Sequence, residues 1–291
     1  MSVLMDGRAS ARTIRADVKA RVRTLRACGR PAPHLAAVLI GDDPASETYV
    51  AMKRRACDWV GIRSSVHRLP DRASQAEAED LVSRLDQDRD VCGILVQHPL
   101  PRQLHEQAVL DRVSPGKDVD GLTTANLGAL ITGADAFVSC TPLGIMELLD
   151  RYGVEISGRE AVVVGRSIIL GKPVALLLLA RHATVTVCHT RTGNLRDVTR
   201  RADILVAAAG RPELISGDMI KPGAVVVDAG YSRVEGRDGD VGDVEFASAA
   251  LQASHITPVP GGVGPMTIAM LLRNTIAAAE AAARRAGQCA G

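Results

Sequence analysis

Aromatic side chains are nearly missing from this 291-residue chain: two Phe, one Trp and three Tyr, 2% in all. Ala, Val, Leu and Ile must therefore fill its cores, and each ring that is present invites a specific explanation, although Trp59 and Phe137 read most simply as core residues. Excess charge of one sign is missing too. Thirty-five Lys and Arg against 33 Asp and Glu leave +2, which gives no basic field for nucleic acid. The longest apolar run, residues 174–180, is far shorter than the ~20 residues that a membrane-spanning helix needs. The first eight residues turn charged before an apolar signal region can form. There is no Cys-x-x-Cys pair. The six cysteines, Cys28, Cys57, Cys92, Cys140, Cys188 and Cys289, are scattered, which excludes the common zinc and redox motifs and leaves reduced thiols in a cytoplasmic protein as the expectation. Repeats, low-complexity tracts and disordered linkers are absent as well.

What is present suits a soluble chain of two domains, 46% hydrophobic and 23% charged. Ile14, Val18, Val22 and Leu25 recur at helical spacing within an amphipathic first helix over 9–27. Residues 35–40 form a buried strand ended by Gly41, and a helix runs from Ser46 to near Gly61. A second strand at 66–69, a helix at 76–85 and a third strand at 91–96 follow. Strand alternating with helix predicts a parallel sheet, with ligands outside the strand C-termini; Gln97 and the loop after Gly41 lie there. A helix after Thr141-Pro142 runs through Leu149 and leads into a more regular α/β unit, with strands at 160–164, 185–187, 204–207 and 224–227. An Ala-rich helix over 268–286 closes the chain, with Pro265 before its start and Gly287 past its end. The expected fold class is α/β: an N-terminal three-layer α/β domain over 1–139, to which helix 268–286 returns, and a Rossmann-type parallel-sheet domain over 140–267. The two are expected to join near 139–143 and to face an interdomain cleft.

Three motifs carry chemistry. Tyr49 and Lys53 are four apart on one helix face, so a ring that can stack a flat ligand stands beside an amine that can hold a movable proton; helices also carry this pair for no functional reason. Gln97 opens Gln-His-Pro-Leu-Pro, and Asp120 lies in Pro-Gly-Lys-Asp-Val-Asp-Gly. Gly165, after a strand and before a helix, is placed for a phosphate-binding turn, although Gly165 to Gly171 lacks the G-x-G-x-x-G pattern. The next strand ends in Cys188-His189-Thr190-Arg191. An NAD site usually offers a carboxylate there for the ribose. Thr190, Arg191, Arg166 and Ser167 instead suit an added 2′-phosphate, because Arg makes forked, charge-assisted bonds to such a group. NADP is therefore preferred over NAD.

In this order, Pro44-Ala45-Ser46 with Tyr49 and Lys53, residues 115–121 and residues 260–267 resemble the bifunctional methylenetetrahydrofolate dehydrogenase/methenyltetrahydrofolate cyclohydrolase family, from Asp6-Gly7 to Thr267. The resemblance implies a homodimer of one-carbon metabolism and purine biosynthesis, acting on tetrahydrofolate derivatives. One reaction passes hydride from 5,10-methylenetetrahydrofolate to NADP; the other adds water to the methenyl cation, giving 10-formyltetrahydrofolate. By resemblance Lys53 is the catalytic amine, Gln97 its hydrogen-bonding partner, Tyr49 the stacking ring and Asp120 the pterin anchor. Pro260, Gly261 and Gly262 let backbone approach the substrate. Gly165, Arg166, Ser167, Thr190, Arg191, Gly210, Gly230 and Tyr231 form the expected cofactor set, and no metal is needed because the cofactor carries the hydride chemistry. Repulsion from the substrate cation, together with desolvation, favours a neutral Lys53. His98, Ile168, Leu170 and Tyr231 depart from the family pattern. His98 and His189 read as structural or solvent-facing, and Cys140 lacks an assigned base. The competing readings are a two-domain dehydrogenase for another substrate, such as shikimate or an amino acid, and a noncatalytic folate-binding paralogue.

Overall fold

The structure is a computed structural model that describes residues 2–285 apart from 235, 237 and 238. Cys289, Gly287 and the last residue of the expected closing helix, Ala286, lie outside the described residues. The chain divides into two compact units, residues 13–140 with 268–291 and residues 1–12 with 141–267.

The first unit is built on a three-stranded parallel sheet. Its elements are α1 (Gly7–Ala27), which enters it from the other unit, β2 (His34–Ile40), α2 (Pro44–Val60), β3 (Arg63–Leu69), α3 (Gln75–Gln87), β4 (Gly93–Val96), α4 (Glu106–Leu110) and α5 (Thr124–Thr132). The sheet order is β3-β2-β4. All seven residues of β2 are buried, as a central strand covered on both faces requires, which is why it reads as an unbroken apolar run. Edge strand β3 is more polar and only half-buried. It begins at Arg63, three residues before the strand expected at 66–69, because it pairs along all of β2.

Local chemistry fixes the helix that matters most. Asp43 caps α2 by accepting from the Ser46 amide at 2.8 Å, Pro44 opens its first turn, and Gly61 ends it in the left-handed conformation. Helix α3 carries a reciprocal capping box between Ser74 and Glu77. Trp59 is not a core residue: it is 51% exposed, with the Lys19 ammonium 4.4 Å from its ring centroid, so a cation over the ring replaces burial. Phe137 is half-buried.

The second unit holds a six-stranded sheet, β1-β11-β8-β7-β5-β6, parallel throughout. Its elements are β1 (Val3–Leu4), α6 (Cys140–Arg151), which begins at the boundary, β5 (Glu160–Val164), α7 (Gly171–Ala180), β6 (Thr184–Cys188), α8 (Leu195–Thr199), β7 (Ile204–Ala207), β8 (Val225–Asp228), the antiparallel pair β9 (Ser232–Arg233) and β10 (Asp240–Val241), α9 (Phe246–Gln252) and β11 (His255–Ile256). Strands β5, β7 and β8 are Val- and Ile-rich, and their buried side chains, with Cys188, Ile215, Val244 and Ile256, form a core that contains no aromatic residue. Each fully buried Val, Leu or Ile contributes roughly 1.5–3 kcal/mol relative to exposure, so many small contributions replace a few large rings.

Two boundaries differ from the sequence expectation. Residues 1–12, expected in the first domain, group with the six-stranded sheet, where Val3 and Leu4 pair with His255 and Ile256. Two-residue strands carry no detectable period. The closing helix, α10 (Val263–Arg285), starts before Pro265 and not after it. Proline is tolerated there because the amides of a first turn have no intrahelical acceptor to lose.

Candidate active site and nucleotide-binding loops

The C-terminal end of β4 holds the first constellation. Strands β2 and β4 run parallel with Val38 opposite Val96, and the Gln97 amide continues the ladder to Val38 O at 2.9 Å. Gln97 is 8% exposed. Its side-chain oxygen accepts from Lys53 Nζ at 2.9 Å, and its side-chain nitrogen donates to His98 O at 2.8 Å. The second bond fixes the orientation of the amide: its nitrogen needs an acceptor, so the oxygen is left to face Lys53 Nζ. Lys53, half-buried on α2, therefore has one defined partner. Tyr49 lies one turn earlier on the same helix and is 36% exposed.

Asp120 reaches the same end of β4 because residues 117 and 118 run alongside that strand. Ile94 N donates to Lys117 O at 2.8 Å, and Ile94 and Asp118 form a parallel bridge. Lys117 Nζ ties the loop down through Asp86 O and Asp88 O. Asp118 is buried and accepts from Thr123 N and Asn126 Nδ2, both at 2.8 Å, whereas Asp120 stays half-buried. Asn274 of α10, 6% exposed, donates to Val119 O at 2.9 Å and Val138 O at 3.2 Å. Sequence reasoning passed over Asp118 and Asn274. Asp118 lay inside the motif at 115–121 but nothing in the sequence set it apart from Asp120, and Asn274 showed only as a polar residue in a largely apolar helix.

Cys140 connects these groups. Its thiol is buried, donates to Val119 O at 3.4 Å, and feels both Asp120 and Lys53. Burial, followed by the charge and hydrogen bond of Asp120, holds that thiol well above its ordinary pKa. Cys57, one turn past Lys53, is likewise pushed up to about 12 by burial, with Asp58 adding to the effect. Both thiols remain protonated at neutral pH, so neither is an activated nucleophile. The His98 ring lies against Glu106, Nδ1 to Oε1 3.1 Å, and this proximity holds the Glu106 carboxyl below its ordinary range. The His98 carbonyl, meanwhile, takes Gln97 Nε2 and, at 3.4 Å, the Ser46 hydroxyl.

The other unit carries the remaining expected residues at the C-terminal ends of its strands. Gly165 follows β5 at φ +138°; a Cβ built there would lie 2.1 Å from Ala208 O, so the turn admits glycine alone. Ser167 Oγ accepts from Leu170 N at 3.2 Å and Gly171 N at 3.3 Å at the start of α7. Arg166, Ser167, Thr190 and Arg191 are all exposed, after β5 and β6. Two exposed guanidiniums and two hydroxyls are a donor set that fits the phosphates of a nucleotide. His189 is engaged locally: its amide donates to Thr192 Oγ1 at 2.8 Å and its Nδ1 accepts from Arg191 N at 3.1 Å. Gly210 and Gly230 follow β7 and β8, and Tyr231 is 53% exposed. Pro260, Gly261 and Gly262 pack against the start of α1 within this unit, where Gly261 O accepts from Arg8 N at 3.1 Å. The structure thus gathers Lys53, Gln97, Asp120 and Tyr49 in one unit; Pro260 to Gly262 and the expected cofactor residues belong to the other. Among the described residues no cluster of His, Cys, Asp and Glu could hold a metal ion, and no helix is long and apolar enough to cross a membrane.

Comparison with known proteins matches residues 5–120 to the catalytic domain of tetrahydrofolate dehydrogenase/cyclohydrolase and residues 139–283 to the NAD(P)-binding domain of the same family. The chain is 57% identical over 277 residues to the bifunctional protein FolD of Moorella thermoacetica, covering 95% of this chain and 98% of that one. Among solved structures, the bifunctional methylenetetrahydrofolate dehydrogenase/cyclohydrolase FolD of Campylobacter jejuni superposes with a TM-score of 0.94 at 44% identity, covering 97% and 99% of the two chains. The Trypanosoma brucei enzyme, solved with NADP cofactor and inhibitor, superposes at 0.92 with 41% identity, covering 97% and 99%.

Proposed function

This chain belongs to the tetrahydrofolate dehydrogenase/cyclohydrolase family, and from that premise we propose that it oxidises 5,10-methylenetetrahydrofolate with NADP and then hydrolyses the 5,10-methenyl product to 10-formyltetrahydrofolate. The observation that supports this reading most strongly is the bond from Lys53 Nζ to Gln97 Oε1, with Asp120 and Lys53 both acting on the Cys140 thiol of the same unit. That set of amine, amide and carboxylate suits a flat, nitrogen-rich ring that becomes a cation.

Asp120 accepts the neighbouring N–H groups of the pterin. Tyr49 offers its π-face to the ring and to the charge that develops on it. When water attacks the methenyl carbon, a proton leaves the water as the C–O bond forms; the bond from that carbon to N5 then breaks, N5 keeps the electron pair and takes up a proton, and the carbon stays on N10 as a formyl group. Lys53 handles the proton that leaves the water, and Gln97 fixes where the amine points. Pro260, Gly261 and Gly262 present backbone without side-chain bulk. Arg166, Ser167, Thr190 and Arg191, together with Gly165, Gly210, Gly230 and Tyr231, hold NADP, which when bound supplies the hydride acceptor. In this assignment the unit of residues 13–140 and 268–291 carries the folate chemistry, and the unit with the six-stranded sheet carries the nucleotide. The enzyme works in the cytoplasm as a homodimer, in the one-carbon metabolism that feeds purine biosynthesis.

The test is direct. Purified protein given 5,10-methylenetetrahydrofolate and NADP produces reduced nucleotide, and methenyl absorbance supplied to it decays. Absence of turnover with both NADP and NAD sinks the proposal.

A further inference from the structure

The loops after β7 and β8 close inward on two buried carboxylates. Asp243 is fully buried and Asp228 is 3% exposed. The Asp243 carboxylate accepts three successive backbone amides, Ala209 N at 2.5 Å, Gly210 N at 2.9 Å and Arg211 N at 2.8 Å. Asp228 accepts Gly230 N at 2.9 Å, Asp243 N at 3.0 Å and Val244 N at 2.9 Å. Consecutive amides around a left-handed residue, here Gly210 at φ +64°, form a concavity that binds anions. In this fold a carboxylate of the chain itself fills it. The packing leaves no slack: a Cβ at Gly230 would lie 2.4 Å from Asp243 Cγ, and one at Gly242 would lie 1.9 Å from Asp228 Oδ2.

One consequence concerns the two glycines assigned to the cofactor. Both Gly210 and Gly230 spend their amides on the carboxylate pair, so neither can offer that N–H to a phosphate. What these loops contribute to a nucleotide is their shape, and the pair sets that shape. Their location suits the role, because β8, β7, β5 and β6 are successive neighbours in the parallel sheet and ligands of such sheets bind beyond the strand C-termini.

We propose that Asp243, braced by Asp228, is a positioning residue for the nicotinamide nucleotide, an internal anion that presets the turn at 209–211 and the corner at 230–231. The inference rests on the reading that this unit binds NADP. Hydrolysis of the methenyl bridge transfers no hydride and so consumes no nucleotide, which gives the enzyme its own control.

The experiment compares full-length wild type with Asp243→Asn, Asp228→Asn and Arg191→Ala. Calorimetry measures NADP binding, and steady-state assays measure both reactions. In Asp243→Asn, one acceptor oxygen becomes an NH2 that opposes the loop amides. The expected result is a rise of at least tenfold in the Kd and KM for NADP, with dehydrogenase kcat at saturating NADP within threefold and cyclohydrolase turnover within twofold of wild type. Asp228→Asn shifts NADP affinity in the same direction by less, and it decides the question if Asp243→Asn does not fold. An unchanged NADP affinity, or a parallel loss of hydrolysis, overturns the inference by reducing the pair to a folding element. If wild type itself takes up no NADP, the parent reading has failed; if Arg191→Ala weakens NADP while both Asp variants bind normally, only the positioning role has failed.

Discussion

Two aspartates only two residues apart, Asp118 and Asp120, are used in opposite ways. Asp118 is buried, and its Oδ2 accepts both Thr123 N and Asn126 Nδ2, whereas Asp120 is half-buried and meets the Cys140 thiol. The same contrast separates Lys53, held by a single side-chain bond to Gln97, from Asp228 and Asp243, whose carboxylates accept six backbone amides between them. Groups that the proposed function assigns to a ligand keep bonding capacity in reserve. Asp228 and Asp243 have spent theirs on the backbone of the loops they shape, and losing one strands buried donors at roughly 1–3 kcal/mol each.

The largest effect that could break this contrast is at Lys53. Lys53→Met, which keeps length and volume but removes the amine, is expected to lower cyclohydrolase turnover by about 10²–10⁴-fold, the range for general acid–base catalysis, with folate binding retained. Undiminished hydrolysis of the methenyl substrate would refute the role. Next come the paired aspartates. Asp120→Asn is expected to raise the folate KM by about tenfold or more through loss of a charge-assisted acceptor, with thermal stability unchanged. Asp118→Ala should do the reverse, losing about 2–4 kcal/mol of stability in denaturant unfolding. If both variants change the same observable, the distinction collapses.

Two pH effects sharpen the comparison further. Burial, reinforced by the charge of Asp243 and opposed by its backbone hydrogen bonds, pushes the Asp228 carboxyl up to about 6, above the ordinary Asp value of about 3.9. The folded state therefore binds this proton more tightly than the unfolded state does, so Asp228 makes stability fall as pH rises from about 4 to about 6, by up to roughly 3 kcal/mol. Asp228→Asn should flatten that slope in unfolding measured across the window. The smallest effect is at His34, whose Nδ1 accepts from Arg63 Nη2 at 3.0 Å while its Nε2 meets Ser65 Oγ at 2.8 Å. Burial first and then Arg63 lower its pKa, so this histidine favours the fold at neutral pH, and its contribution is lost as pH falls through about 6.5. His34→Gln should remove this contribution to acid sensitivity below about pH 6.5, without altering either activity.

Much of the fold was legible because its signals are local. The strand at Glu160–Val164 and the strand at Ile204–Ala207 have the bounds their apolar runs announce. The helix of Tyr49 and Lys53 was expected from Ser46 to near Gly61; it ends as expected and starts two residues earlier, at Pro44, because Asp43 and not Ser46 caps it. Strands β1 and β11 were not legible, since two residues show no period and exist only through their pairing with each other and with β8. Trp59 was misread because hydrophobicity alone predicts burial, and only the placement of Lys19 over its ring explains the exposure.

The candidate site divides along the same line. Sequence alone named Lys53, Gln97 and Asp120, because the motifs that hold them, in their order along the chain, resemble one family, and that resemblance implied their roles. It could not tell Asp118 from Asp120, give the Gln97 side chain its orientation, or single out Asn274, Asp228 and Asp243. Each of those depends on which backbone amides and carbonyls the fold brings within about 3 Å. Residue identity fixes what a side chain is able to bond, and tertiary structure alone decides which bonds are already taken and which are left for a substrate.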